Sequence, residues 1–246
     1  MANALARELK TKSEEELGAI LSVKAKDLLA ENYRRYQDWD DAETLQAIVA
    51  YDGFAFAKLD ARSLTSDELR RAHSKLVIPS AMYGPLRALD VIKPHRLDMA
   101  CTKLGGDFKR LAAYWKDLTY ATLRDGFDDD DDERYLVNVA SDEFSKAVDF
   151  KKLQKDDHVT VVKCAFGPDA TSTTLKYARG LVARYVLQND VDDLEALKRF
   201  DLDNYAFDPD RSDDTTFFFS QSKEKGHDKD NTPKKQGPTQ KKKRKR

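Results

Sequence analysis

The sequence predicts a mixed α/β (α+β) fold, a single domain in which helices surround a mixed sheet. Three observations carry that prediction. Amphipathic runs of helical period alternate with short β-like runs rich in Val, Tyr and Phe, and no internal repeat interrupts them. Hydrophobic residues make up 40% of the 246 and charged residues 35%, which suits a packed core under a heavily solvated surface. The alternation ends near residue 220, so residues 1–220 form the domain and 221–246 a separate tail.

The elements follow in order. Ser13-Glu14-Glu15-Glu16 has the form of a capping box and opens a helix through Leu17, Ile20, Leu21, Leu28 and Leu29 towards Tyr33. Asp40 to Tyr51 reads as a second helix, with Leu45, Ile48 and Val49 on one face. Gly53 to Ala57 reads as a short strand. Thr65-Ser66-Asp67-Glu68 caps a helix through His73. Phe108 to Leu123 is amphipathic, with Leu111, Trp115, Leu118 and Leu123 in or near one stripe. Tyr135 to Val139 and Val159 to Phe166 are β-like, Thr173 to Gln188 and Asp192 to Phe200 helical, and Tyr205 to Phe207 and Thr216 to Phe219 late strands.

The run Ser80 to Met99 is the most informative segment. A hydrophobic stretch ending at Pro79 enters a Tyr83-Gly84-Pro85 turn, and Arg87, Lys93, His95 and Arg96 follow. Glycine before proline predicts that Gly84 ends one element and Pro85 opens a helix at its first position. Free N–H groups there would suit a phosphate, as in helix-hairpin-helix modules. An ordinary turn between packed elements is the competing reading. Within the Thr173–Gln188 helix, Lys176 and Arg179 share a face, and Gly180 marks either a packing contact or the approach of a ligand.

Charge is unevenly spread. The tail carries 11 Lys/Arg against 3 Asp/Glu, whereas the first 220 residues hold 32 against 41. DNA binding by bulk charge is thereby excluded for the domain, and any binding face must be a local basic patch. The tail lacks aromatic and aliphatic residues, which predicts disorder. Its terminal run Lys241, Lys242, Lys243, Arg244, Lys245 and Arg246 reads as an address for a nuclear import receptor. Asp128 to Glu133 reads as a solvated loop insertion.

Other chemistry is sparse. Ser141, Asp142 and Glu143 follow a strand end, a common binding position, and equally suit a helix cap. The histidines His73, His95, His158 and His227 have no partners at ligand spacing, so neither metal nor cofactor is expected. No Walker loop, dinucleotide fingerprint or nucleophile elbow is present. Two cysteines, Cys101 and Cys164, offer no disulfide framework, pointing to the cytosol or nucleus. No apolar run approaches the roughly 18 residues a membrane span needs.

Taken in order, several segments resemble the YaaA family of peroxide-stress resistance proteins. The carriers are Leu45 to Leu59, Met82-Tyr83-Gly84-Pro85-Leu86-Arg87-Ala88-Leu89-Asp90, and Pro94-His95-Arg96-Leu97-Asp98-Met99. Tyr114 to Asp117, Asn138-Val139-Ala140-Ser141-Asp142-Glu143 and the Lys176 to Arg184 segment continue the match, which spans about residues 5 to 220. The resemblance implies a mixed α/β domain with a helix-hairpin-helix-like element and a positively charged cleft that binds duplex or branched DNA. It also implies protection against hydrogen peroxide, with no established catalysis. Family members begin with a strand bearing Ser-Pro-Ala-Lys that has no counterpart here, and Ala81 stands where they carry Gly.

The expected function is non-sequence-specific DNA binding in the peroxide response, without enzymatic activity. Gly84, Arg87, Lys93, Arg96, Lys176, Arg179 and Arg184 are the expected phosphate contacts. An enzyme acting on a small phosphorylated or nucleotide-like ligand in the same cleft, using Ser141, Asp142 and Glu143, is the alternative. A third reading is an interaction module carried to the nucleus by its tail.

Overall fold

Local capping chemistry starts the chain's helices where the side chains allow it. The computed structural model describes residues 1–127, 133–167 and 170–221. Helix α1 (Ala2–Lys10) precedes α2 (Glu14–Leu21), where Ser13 and Glu16 exchange both bonds of a capping box at 3.2 and 2.8 Å. Then come α3 (Lys26–Gln37), β1 (Leu45–Gln46), α4 (Ala47–Ala50), α5 (Phe54–Leu59) and α6 (Ser66–Lys75), the last with its own Thr65–Glu68 capping box. Strands β2 (Val77–Ser80), β3 (Gly84–Arg87) and β4 (Val91–Ile92) lead to α7 (Leu111–Arg124). The second half runs β5 (Arg134–Asn138), α8 (Asp142–Ser145), α9 (Phe150–Asp156), β6 (Val159–Phe166), α10 (Ser172–Gln188), α11 (Leu194–Lys198), β7 (Tyr205–Phe207) and β8 (Thr216–Gln221).

The main sheet has the order β5-β6-β8-β7. β5, β6 and β8 are parallel neighbours, and β7 pairs antiparallel with β8, so the sheet is mixed as expected. Two small antiparallel ladders, β1 with β4 and β2 with β3, lie outside it. α10 lays Ala178, Leu181, Val182 and Tyr185 against Val162, Cys164, Phe217 and Phe219 of the sheet. A second core gathers α1, α2 and α7 around Trp115 and Tyr36, both fully buried. A cleft of about 440 Å³ lies along the outer edge of β5. Cys101 and Cys164 are free and buried, and burial pushes the Cys164 thiol up to about 12. No described helix is long and apolar enough to cross a membrane.

Four local expectations are corrected. The helix read from Ser13 to Tyr33 is two helices, because Ser22 turns left-handed (φ 53°) and folds α3 back so that Leu29 packs on Gly18. Asp40 to Tyr51 is not one helix, since Leu45 and Gln46 pair as a strand with Ile92 and Val91. Gly53 to Ala57 is not a strand; it begins α5. Pro85 does not open a helix, because Val77–Ser80 and Gly84–Arg87 form a β-hairpin that sets Pro79 opposite Pro85. The helix-hairpin-helix-like element expected there is therefore a strand hairpin. Gly84 takes φ +77° with Trp115 Cε3 only 2.5 Å from where a Cβ would sit, so it is a packing glycine inside the core. The Asp128–Asp132 part of the acidic loop and the Lys241–Arg246 run lie outside the described residues.

Gly180 lets α5 and α10 pack at close range. A Cβ at position 180 would fall 2.0 Å from the Ala55 carbonyl oxygen, so α10 and α5 touch backbone to backbone. Replacing Gly180 with Ala raises helix propensity yet forces the two helices apart. Gly180→Ala is expected to lower unfolding free energy by about 1–3 kcal/mol in urea titration. Gly53→Ala, where a Cβ meets nothing within 4 Å, is the matched control and should shift it far less.

Candidate nucleic-acid interface

The parallel strands β5 and β6 end side by side, and the chain leaving β5 builds a polar turn. Asn138 Oδ1 accepts from the Ala140 N–H at 3.0 Å, and its amide donates to Ser145 Oγ at 3.2 Å. Ser141 occupies the N-cap position of α8, but its hydroxyl makes no capping bond. Glu143 accepts from the Ala100 N–H at 2.9 Å, tying the 97–101 loop to α8. Asp142 accepts from Lys163 Nζ at 3.0 Å. That bond, with the charges of Lys163, Arg179 and Lys146, holds the Asp142 carboxyl below the usual range. Lys163 thus bonds the exposed Asp142 carboxylate, and the charges of Arg179 and Lys146 act on it from further away. Lys176 lies three residues before Arg179 on α10, with its Nζ 5.9 Å from the centroid of the Phe54 ring.

Arg179 differs from the other cations named from the sequence. It is half-buried, and its guanidinium has no hydrogen-bond partner among the described residues. Burial lowers its pKa and the Asp142 charge opposes that shift. Arg87 instead donates to the Ser74 and Thr122 carbonyls, 2.9 Å each, at the C-terminal turns of α6 and α7. Lys93 Nζ holds the Trp39 and Asp40 carbonyls. Arg184 donates to the Leu59 carbonyl at 2.8 Å and the Asp60 carbonyl at 3.2 Å. These three are clamps on the fold. Arg96 is exposed, and its side chain has no partner among the described residues. Arg87 lines the cleft along β5, but Lys93, Arg96, Lys176, Arg179 and Arg184 do not.

The profile described as "Peroxide stress protein YaaA" matches residues 1–211. The chain belongs to the peroxide stress protein YaaA family. A UPF0246 protein of Burkholderia pseudomallei (strain 668) is 36% identical over 235 residues, covering 89% of this chain and 86% of its own length. A UPF0246 protein of Agathobacter rectalis is 33% identical over 216 residues, covering 86% of this chain and 84% of its own. A role in oxidative stress is consistent with membership of the YaaA family.

Sequence reasoning left one polar cluster of this YaaA-family chain unassembled, since its members are scattered between residues 51 and 95. His95 Nδ1 lies 2.9 Å from the Lys93 carbonyl, which assigns the proton to Nδ1. Nε2 then faces Tyr51 Oη and Ser80 Oγ, each at 3.4 Å, while the Tyr83 ring packs edge-on at 5.1 Å. Burial lowers the His95 pKa, opposed by the Lys93 carbonyl and assisted by the Arg35 charge; burial also raises the Tyr51 pKa. A histidine with a depressed folded-state pKa stabilises fully above its unfolded value of 6.5 and loses that stability as pH falls below it. His95→Phe should therefore flatten the loss of unfolding free energy between about pH 7.5 and 5.5. Denaturant titrations at the two pH values check this; an unchanged slope in the variant contradicts it.

Proposed function

We propose that the protein binds DNA during peroxide stress, gripping the phosphate backbone through Lys146, Lys163, Lys176 and Arg179. One observation carries this reading: the Arg179 guanidinium is half-buried and has no hydrogen-bond partner among the described residues, while the Asp142 carboxylate whose charge acts on it is already held by Lys163. Arginine presents five donors in a planar fork suited to a phosphate, and the α10 scaffold holds it in place. Arg96 is a further exposed contact for the backbone. Because phosphate contacts carry no base information, the binding is non-sequence-specific. Covering DNA would then shield it from peroxide-driven damage. Lys241 to Arg246 serve as the proposed address for a nuclear import receptor.

The four contacts on this face alone imply that affinity for a duplex falls by at least about 10²-fold between 50 and 200 mM salt, and Arg96 would steepen the fall. Arg179→Ala should reduce the logarithmic salt slope by about one and weaken binding to unrelated sequences alike. Titration of labelled duplexes across salt measures both. Affinity indifferent to salt, or binding abolished wholly by truncation after Gln221, would sink the assignment to this face.

A further inference from the structure

Phe54 is the only exposed aromatic side chain among the described residues, at 48% exposure. It sits at the start of α5, on the opposite course from Phe56, whose ring stacks on Tyr51 at 4.9 Å. Tyr177 of α10 meets the Phe54 ring edge-on at 5.4 Å and 82°. Two lysines attend the pair: Lys176 Nζ stands 5.9 Å from the centroid of the Phe54 ring, and Lys58 Nζ 5.4 Å from that of Tyr177. Lys176 precedes Arg179 by three residues on α10, so the two side chains are neighbours along that helix.

We propose that Phe54 is a stacking platform for an unpaired DNA base whose flanking phosphates are held by Lys58, Lys176 and Arg179. This rests on the DNA-binding reading above and narrows its substrate to DNA with unstacked nucleotides. A base inside a duplex has both faces covered by its neighbours, whereas a bulged or single-stranded base offers a free π-face to an aromatic ring. Charge complementarity selects the occupant, because an apolar protein segment would gain nothing from Lys176 beside the Phe54 ring and Lys58 beside that of Tyr177, the latter only loosely paired with Asp203 at 3.9 Å. Lysine ammonium groups on flexible stems can follow a phosphate while the ring accepts the base. The platform is rigid: Gly180 seats α5 on α10, and Arg184 ties down the Leu59 and Asp60 carbonyls at the end of α5. A preorganised ring loses little freedom on binding, which favours stacking.

The test uses the full chain with two duplexes of one sequence, one fully paired and one carrying a single unpaired 2-aminopurine. Wild type should bind the bulged duplex on the order of tenfold more tightly, with the 2-aminopurine emission quenched on binding. Phe54→Ala should bring the affinity ratio close to one and abolish the quenching, while Phe54→Tyr keeps both. Arg179→Ala should weaken both duplexes and preserve the ratio. A wild-type ratio near one, or a ratio that survives Phe54→Ala, overturns the platform while leaving duplex binding intact. Absence of binding to either duplex overturns the DNA reading itself, and the platform with it. Thermal melts of each variant confirm folding, and a Phe54→Ala protein with native stability makes the comparison direct.

Discussion

The seat of α10 on α5 at Gly180 is the contact on which the functional surface depends. Without a side chain at 180, the Ala55 carbonyl reaches the helix backbone, and any Cβ would occupy its place. That contact seats α5 on α10, where Phe54 meets Tyr177 edge-on. It also fixes the far side of α10 against the main sheet through Ala178, Leu181 and Val182. One helix is therefore pinned on two faces, with Lys176 beside the α5 ring Phe54 and Arg179 half-buried near Asp142. A glycine inside a helix costs about 1 kcal/mol against alanine, and here the packing it permits offsets that cost.

Arginine and lysine meet two different fates in this fold. Arg87, Lys93 and Arg184 end on backbone carbonyls at helix ends and loops, where charge-assisted bonds satisfy groups that a helix leaves without partners. Arg179 ends beside Asp142, a carboxylate that Lys163 already holds. The first group stabilises the architecture, and the second leaves unmet donor capacity at the surface. An acidic domain can thus hold cations locally while Arg87, Lys93 and Arg184 are engaged by its backbone.

Long elements were legible in the sequence because their period is local. Val159 to Phe166 was read with the bounds β6 has, and α10 and α7 within a few residues of theirs. Short segments were not: Phe54-Ala55-Phe56 alternates like a strand, yet it is helical and packs through Ala55 on the distant Gly180. A turn was read at Tyr83-Gly84-Pro85, but it lies one step earlier, at Ala81 to Tyr83, and Gly84 and Pro85 already belong to β3, paired with Ser80 and Pro79. The fate of each cation was equally hidden. Arg184 reaches carbonyls 125 and 124 residues away, and Lys93 reaches others 54 and 53 away, separations no spacing rule detects. Lys163 and Lys146 were passed over for the same reason, since the sheet register and the α8 turn bring them to Asp142.

Lysine acylation footprinting with and without DNA tests the central claim most directly. Bound duplex should protect Lys163 and Lys176 from modification while leaving Lys12, Lys24 and Lys151 as reactive as in the free protein. Protection confined to the lysines after residue 221, with Lys163 and Lys176 fully reactive, would contradict a binding face on α10.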